Sequence, residues 1–307
     1  MHRSSPALLL LAACGTAPVE APSVAARVDA DRLASDLRFV ARPRPPRSPV
    51  WTAVQDACAE RFEAAGLEVE RMDYGTGVNV IGTRPGRIDT PVVLAAHYDH
   101  IPGCAGADDN ASGVAGLWAL ADTVGPGDRT LVLACLDQEE WGLIGAHALA
   151  ARLADTPVHA MLSVEMIAFT DDRPGSQRIP TGFEYAFRSA WGEVRDREFR
   201  GDFLLYVGDW GSSHVGEALR AGGHAAGLPV IGFTNPIAQY VPQLARSDHA
   251  AFWDQGLPGV MVTDTADFRY PAYHCRSGPD VVENLDSIFH AKAVETLLHA
   301  TERLLRE

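Results

Sequence analysis

Side chains that can bind a metal ion stand just after several short apolar segments of this chain. Such segments, bounded by polar residues, are typical of buried strands in a parallel sheet. Because open α/β sheets collect ligands at the carboxyl ends of their strands, these side chains are expected to meet at one edge. Four segments are followed in this way: 92–96 by His97, 131–136 by Glu139 and Glu140, 160–164 by Glu165, and 259–262 by a loop that carries His274.

A further candidate ligand lies in the small-residue turn Gly106–Gly113, which opens a predicted helix and carries Asp108 and Asp109. A carboxylate is electrostatically favoured at a helix N-terminus. Imidazole and carboxylate ligands without thiolates suit zinc, cobalt or manganese better than calcium. This ligand set exceeds the needs of one tetrahedral ion, and it predicts two ions about 3.5–4 Å apart that share one carboxylate.

The adjacent residues Glu139 and Glu140 can divide two tasks between them. One carboxylate binds metal, while its neighbour stays free as the general base for a metal-activated water. Asp99 stands two residues after His97, so it is predicted to accept the proton of the far ring nitrogen and to fix the tautomer of that histidine.

The elements that must position these side chains alternate between strands and helices. Two helices, at 31–41 and 51–65, and two short strands, at 67–71 and 78–82, precede the four apolar segments. Helices are then predicted at 112–123, 142–153, 183–191 and 215–226. This alternation predicts an α/β three-layer sandwich with a central, mostly parallel mixed sheet flanked by helices.

The N-terminus has the character of an export signal. Arg3 precedes the apolar run 7–13, which is far shorter than the ~20 residues that span a bilayer. The run ends at Cys14 in a lipobox-like context, so residues 1–14 are predicted to be a signal peptide and residues 15–26 a tether. The prediction is an exported protein that is periplasmic, extracellular or anchored to a membrane through a lipidated Cys14. A chance cysteine is the alternative. Residues 27–307 are predicted to form a single catalytic domain.

The net charge and the remaining cysteines bear on the binding partners and on the disulfides of the protein. A formal net charge of −14 argues against a nucleic-acid partner, since phosphate binding needs a basic face. Four cysteines follow Cys14, and their connectivity cannot be read from the sequence. Cys104 and Cys275 are the favoured pair because both are predicted in loops beside the proposed site.

Taken in order, the motifs resemble those of the co-catalytic zinc aminopeptidase family, which also includes glutaminyl cyclases and transferrin-receptor-like proteins. The resemblance runs from about residue 31 to 285 and implies a fold of the zinc-peptidase type. Its motifs are His97-Tyr98-Asp99, Gly106-Ala107-Asp108-Asp109-Asn110-Ala111-Ser112-Gly113, Glu139-Glu140-Trp141-Gly142, Ser247-Asp248-His249 and Tyr273-His274.

The resemblance implies two zinc ions, and it implies which residues bind each of them. His97 matches a terminal ligand of the first zinc and Asp109 the bridging carboxylate. Glu140 and His274 match terminal ligands of the second zinc. The position of Glu165 is usually aspartate in the aminopeptidases, so its extra methylene shifts the carboxylate at the first metal.

For the remaining residues, the resemblance implies catalytic roles. Glu139 matches the general base, Asp99 the residue that orients the first histidine, and Tyr273 a tyrosine that helps stabilise the tetrahedral intermediate. Ser247-Asp248-His249 is interpreted as support for the site rather than as a serine triad. The implied activity is hydrolysis of the first peptide bond of substrates with a free N-terminus. The alternatives are a glutaminyl cyclase with one zinc and a binding module that has lost catalysis.

Overall fold

One sheet of eight strands organises residues 27–307, the part of the chain that the computed structural model describes. The predicted signal peptide, Cys14 and the tether lie outside the described residues. Helices flank the sheet, so the predicted α/β class is confirmed. The strands are β1 (Glu68–Asp73), β2 (Val78–Arg84), β3 (Ile88–His97), β4 (Arg129–Leu136), β5 (Ala160–Glu165), β6 (Leu204–Gly208), β7 (Val230–Thr234) and β8 (Val260–Thr263).

The strand order is β1-β2-β4-β3-β5-β8-β6-β7. The four central strands β4, β3, β5 and β8 are parallel to one another, while β1, β2 and β6 join through antiparallel pairs. The central strands are the four apolar segments predicted from the sequence. Their carboxyl ends therefore point to the same edge of the sheet.

Nine α-helices lie within residues 27–307, and none of them is long and apolar enough to cross a membrane. The predicted helix at 183–191 is divided at Phe187, whose backbone is not helical. The prediction did not include β6, β7 or the last helix. The helices are α1 (Ala30–Val40), α2 (Pro49–Ala64), α3 (Gly113–Thr123), α4 (Ile144–Leu153), α5 (Phe183–Ala186), α6 (Arg188–Asp196), α7 (Ser213–Ala226), α8 (His249–Asp254) and α9 (Ser287–Leu304).

Strand β3 shows how the sheet divides the core between its two faces. Successive side chains of a strand point to opposite faces. Leu94 accordingly packs in the larger core with Trp118 of α3 and with α9. Val93 packs in the smaller core with Leu149 of α4 and Phe252 of α8. Because both faces of β3 are covered, its sequence is continuously apolar rather than alternating.

Replacing Leu94 with alanine is expected to lower the free energy of unfolding by about 2–5 kcal/mol, since Leu94 is fully buried and the change leaves a cavity. Urea unfolding in the presence of a chelator measures this without a contribution from bound metal. Ile288→Ala is the control, because Ile288 is 68% exposed, and it should cost less than about 0.5 kcal/mol. Equal effects of the two changes would contradict this account of the core.

Two disulfides tie distant parts of the chain together. Cys58 of α2 is bonded to Cys135 of β4, and Cys104 is bonded to Cys275. The second is the pair favoured from the sequence, and that prediction is confirmed. It joins the loop after β3 to the segment that carries His274.

Candidate metal centre

The predicted ligands meet at the carboxyl edge of the four central strands. His97 is the last residue of β3 and Glu165 the last of β5. Glu139 and Glu140 follow β4, and the loop after β8 brings His274 to the same place. This is the expected consequence of four parallel strands that end side by side.

Asp109 lies between two sets of side chains and presents one carboxylate oxygen to each. Its Oδ1 is 3.3 Å from Nε2 of His97, and that nitrogen is 3.4 Å from Oε2 of Glu165. Its Oδ2 is 3.1 Å from Nε2 of His274, which is 3.2 Å from Oε2 of Glu140. This is the arrangement expected of a carboxylate shared by two ions.

The residues fit a pair of divalent cations. Within residues 27–307, Nε2 of His97 and Oε1 of Glu140 are buried without a hydrogen-bond partner, although buried polar groups normally have one. The atoms that converge there are imidazole nitrogens and carboxylate oxygens, which suit zinc. His97, Glu139 and Glu165 form one group whose ligating atoms lie within 4.8 Å of one another.

The charges of the site are strongly coupled. Burial would raise the pKa of Asp109, but His100, His274 and His97 hold it well below its usual range. Burial would lower the pKa of His274, but the adjacent carboxylates of Asp109 and Glu140 raise it to about 9. The carboxylates thus favour positive charge at these positions, as a bound cation would require.

Glu139 differs from its neighbour Glu140 in its electrostatic surroundings. Burial, with the carboxylates Glu165 and Asp248, raises the pKa of Glu139 well above its usual range, although His97 opposes the shift. His100 and His274 instead lower the pKa of Glu140. A carboxyl group with a raised pKa takes up a proton more readily than an ordinary glutamate, which is the task predicted for Glu139.

Asp99 contacts the site in a different way from that predicted. Its carboxylate accepts hydrogen bonds from the backbone N–H groups of Glu139, at 3.0 Å, and Glu140, at 3.3 Å. Its Oδ1 is 3.6 Å from Nδ1 of His97, beyond hydrogen-bond distance. The backbone oxygen of Asp99 lies 3.2 Å from that nitrogen instead. Asp99 therefore fixes the two glutamates as well as the histidine.

Arg44 holds the turn that carries Asp109, and it was not among the residues predicted from the sequence. Its fully buried guanidinium donates to the backbone oxygens of Gly106, at 2.9 Å, and Asp109, at 3.1 Å. Asp280 accepts the N–H groups of Asp108, at 3.0 Å, and Asp109, at 3.2 Å. Asp108 accepts a hydrogen bond from the N–H of Ala168 at 3.0 Å, so its carboxylate stabilises the turn.

Ser247 holds Glu165 in place. Its hydroxyl donates to Oε2 of Glu165 at 2.8 Å. Nε2 of His249 lies 2.8 Å from the backbone oxygen of Leu244. Ser247 and His249 therefore do not form a serine triad. The Ser247-Asp248-His249 motif therefore supports the site at Glu165, because the hydroxyl group of Ser247 fixes the glutamate side chain.

Tyr273 covers the imidazole of His274. The two rings stack with centroids 3.9 Å apart at an angle of 20°. Arg246 and Arg276 lie over the tyrosine ring, at 5.4 and 5.1 Å from its centroid. The disulfide at Cys275 fixes the same segment. Tyr273 is thus rigidly placed beside the candidate ligands.

A cavity with mainly apolar walls opens directly from the candidate metal ligands. Asp109, Glu139 and Glu165 line one end of it. Thr263 of β8 pairs with Glu165, and Leu205 of β6 pairs with Thr263. The wall of the cavity therefore continues from β5 to β8 and β6. Aromatic and apolar side chains line the rest: Phe183, Phe187, Trp191, Phe203, Phe233 and Met261. Residues 177–180 of the segment after β5 also line it.

The sequence profile of peptidase family M28 matches residues 79–300. Among characterised and uncharacterised relatives, the chain is 28% identical over 279 residues to the uncharacterized protein YfbL of Escherichia coli K12, with 82% of each chain covered. It is 26% identical over 259 residues to aminopeptidase YwaD of Bacillus subtilis 168, covering 82% of this chain and 46% of that one.

Solved structures with the same fold include aminopeptidase LapA of Legionella pneumophila, with a TM-score of 0.69 and 15% identity, covering 91% of this chain and 70% of that one. A glutaminyl cyclase from Fimbriiglobus ruber has a TM-score of 0.62 and 16% identity, covering 94% and 99%. At these identities the likeness concerns the fold alone. Because the profile match includes every strand that delivers a side chain to the site, this chain belongs to peptidase family M28.

Proposed function

We propose that this protein is an aminopeptidase that holds two zinc ions and uses Glu139 as its general base. The family and its aminopeptidase relatives support a metal-dependent aminopeptidase. The observation that carries the two-ion proposal is the carboxylate of Asp109, which directs one oxygen to His97 and the other to His274.

Two bound zinc ions would polarise the substrate carbonyl and lower the pKa of a water molecule between them. His97, Asp109 and Glu165 would hold one ion, and Asp109, Glu140 and His274 the other. Glu139 accepts the proton of the attacking water and returns it to the departing amine. Tyr273, which stacks on His274, would donate a hydrogen bond from its hydroxyl group to the developing oxyanion.

The substrate enters with its free N-terminus. A protonated or neutral α-amine needs acceptors, and Glu139 and Glu165 both line the cavity next to the ligands. Glu165 replaces the aspartate usual in the aminopeptidases, and the hydrogen bond from Ser247 fixes the longer side chain. The carboxylate of Glu165 lines the cavity, where it can contact the amine.

The apolar cavity favours a large hydrophobic side chain at the first substrate position. Pockets built this way bind through burial of apolar area, and each methylene is worth about 1–3 kcal/mol. Phe187 and Phe233 stack in its wall with centroids 4.0 Å apart. A leucyl or phenylalanyl residue would bury its side chain there, whereas an alanyl residue would leave the cavity largely unfilled.

Filling this cavity is expected to change specificity. In Leu205→Trp, kcat/KM for leucyl and phenylalanyl nitroanilides should fall about 10-fold or more, since the indole occupies space used by the substrate. The alanyl substrate is the internal control, and its kcat/KM should change far less. A loss that is equal for all three substrates would contradict the assignment of this cavity to the first substrate residue.

Glutaminyl cyclase activity with one zinc is the second candidate, because a glutaminyl cyclase shares the fold. Two observations favour the aminopeptidase. His97 and His274 are both positioned at the oxygens of Asp109, and each has a further carboxylate within 3.4 Å. A binding module without catalysis would not be expected to keep a competent side chain at every one of these positions.

Export of the protein is proposed on the predicted signal in residues 1–14. The two disulfides support it, because disulfides persist mainly in oxidising compartments. Anchoring through lipidated Cys14 is part of the same proposal and would leave the catalytic domain outside the cytoplasm. Mass spectrometry of the mature N-terminus tests it: a diacylglyceryl group on Cys14 supports anchoring, and its absence refutes it.

The function itself is tested by elemental analysis of the purified protein together with hydrolysis of a panel of aminoacyl nitroanilides. We expect two zinc ions per chain, amine release from leucyl and phenylalanyl substrates, and loss of that activity on chelation. One ion per chain together with cyclisation of glutaminyl peptides would replace this proposal with the cyclase. Two ions without hydrolysis of any substrate would refute aminopeptidase activity.

A further inference from the structure

A second cavity, with a volume of about 470 Å³, adjoins the apolar cavity and shares Tyr273 and Arg178 with it. Asp171 and Asp267 are the acidic residues of its wall. The basic residues of the wall are four arginines: Arg173, Arg178, Arg269 and Arg276. The chain as a whole carries a net charge of −14, so this arginine cavity is a local reversal of charge beside the candidate metal centre.

Both aspartates of the arginine cavity are already paired with arginines. Oδ2 of Asp171 is 2.6 Å from Nη2 of Arg173, and Oδ1 of Asp171 accepts a hydrogen bond from Nε of the same arginine at 2.9 Å. Oδ1 of Asp267 is 2.8 Å from Nη1 of Arg246, which lines the apolar cavity. The negative charges of the wall are therefore compensated by Arg173 and Arg246.

Arg178 and Arg276 carry charges that are not compensated in this way. Both residues are exposed, and neither forms an ion pair with a carboxylate of residues 27–307. Arg178 donates to the backbone oxygen of Asp267 only. Arg269 is a different case, because it is buried and donates to backbone oxygens inside the protein. Two arginines thus remain that can bind an anionic group in the cavity.

The distance from Arg276 to the candidate ligands limits which group of a substrate can reach it. Its guanidinium carbon is 5.1 Å from the centroid of the Tyr273 ring, and that centroid is 3.9 Å from the centroid of the His274 ring. The disulfide of Cys275 holds the backbone between them. One extended residue spans at most about 3.3–3.6 Å. A group one to three residues beyond a scissile bond at the metal centre can therefore reach Arg276.

We propose that Arg178 and Arg276 bind a carboxylate of the leaving part of the substrate and so determine specificity. The inference rests on the proposed aminopeptidase function, in which the first substrate residue fills the apolar cavity. The next residues then lie beside Arg178, which borders both cavities. The guanidinium group suits this task because its N–H donors match the geometry of a carboxylate.

Two parts of a peptide can supply this carboxylate. One is the C-terminus of a short peptide, such as a dipeptide or tripeptide, and the other is an acidic side chain just after the cleaved bond. The C-terminus of a long peptide would lie too far from the metal centre. The proposed substrates are therefore short peptides or peptides with an acidic second residue.

The test compares substrates that differ only in the charge of the leaving residue, by steady-state kinetics of the full mature protein at low ionic strength. Leucylglycine is compared with its C-terminal amide, and leucylaspartate amide with leucylasparagine amide. We expect KM of the wild type to be about 5–10-fold lower for the charged member of at least one pair, since each exposed ion pair contributes about 2–5-fold. Added salt should reduce this preference, because exposed charges are screened.

Single variants assign the preference to the two arginines. In Arg178→Gln and in Arg276→Gln, the ratio of the two KM values should fall by about 2–5-fold. Arg276→Lys keeps the charge and should retain more of the preference than Arg276→Gln. The comparison within each pair of substrates removes any general loss of activity, because such a loss would affect the charged and the neutral member alike.

Arg306→Gln is the matched control, because it also removes one exposed positive charge. The preceding residue, Leu305, accepts hydrogen bonds from the backbone N–H groups of Asp128 and Arg129 through its backbone oxygen. Arg129 is the first residue of β4, so Arg306 lies at the edge of the sheet opposite to the candidate metal centre. Arg306→Gln should leave the ratio of the KM values unchanged.

The outcomes separate the sources of the carboxylate and the two proposals. A preference for leucylglycine alone assigns the C-terminus of short peptides, and a preference for leucylaspartate amide alone assigns an acidic side chain. Equal KM values within both pairs, or a preference that persists in both glutamine variants, overturn the role of the arginines. If leucyl nitroanilide is still hydrolysed in that case, only this inference fails. If neither the nitroanilide nor any peptide is cleaved, the proposed function fails with it.

Discussion

Glu139→Gln is expected to lower kcat by about 10²–10⁴-fold, the range that general acid–base catalysis contributes, while two zinc ions stay bound. Glutamine keeps the shape of the side chain but cannot accept the proton of the attacking water. The backbone of residue 139 is held by Asp99 at 3.0 Å, so the substitution should leave the loop in place. Steady-state kinetics with leucyl nitroanilide and elemental analysis of the same preparation measure both quantities.

Glu140→Gln is the matched control for this prediction. The two glutamates are adjacent, and Asp99 holds both backbones, but only Oε2 of Glu140 lies near His274. Glu140→Gln should therefore lose zinc, whereas Glu139→Gln should not. Zinc loss in both variants would mean that Glu139 is a ligand rather than the base. Full activity in Glu139→Gln would remove it from the mechanism.

The point where the candidate ligands meet could be predicted because it depends on a simple physical pattern. Buried parallel strands are apolar throughout, and their polar successors mark the ends that meet at one edge. His97 and Glu165 are the last residues of their strands. The sequence therefore indicates both the strand and the point at which the candidate ligand follows it.

Elements further from the site were harder to predict. β6 and β7 each have only five residues, and an apolar run of that length does not distinguish a strand from a buried helical segment. Helix α9 is a different case. Phe289, Ala293 and Leu297 recur at the helical spacing of four residues and are buried, so its sequence carries a signal that the predicted elements did not include.

Arg44 and His100 could not be placed from the sequence because tertiary contacts decide where their side chains lie. Arg44 stands in a proline-rich segment, yet it reaches backbone oxygens more than 50 residues away. His100 is three residues after His97, but a histidine next to a ligand motif is often structural. Its Nδ1 lies 2.7 Å from Oε1 of Glu140, and this proximity exists only once β3 and β4 pair side by side.

Asp109→Asn is expected to have the second large effect, the loss of zinc from both positions. The carboxylate provides an oxygen to each set of ligands, and an amide offers no negative charge and only one oxygen. Loss of several kcal/mol of carbonyl polarisation corresponds to a fall in kcat/KM of about 10³-fold or more, at tenfold per ~1.4 kcal/mol. Elemental analysis and nitroanilide kinetics on one preparation measure both effects.

The neighbouring aspartate supplies the control. Burial and the adjacent Asp264 raise the pKa of Asp108 well above its usual range. A raised pKa favours the uncharged form of the carboxyl group at 108, so the uncharged amide of asparagine can replace it. Asp108→Asn should keep both zinc ions.

Single-ligand variants then locate each ion. His97→Ala should lose only the first zinc and His274→Ala only the second, because each histidine contacts one oxygen of Asp109. If Asp109→Asn retained two ions, the carboxylate of Asp109 would not be shared between them. Loss of both ions in either histidine variant would show instead that the two positions bind cooperatively, since removing one ligand set would then empty the other.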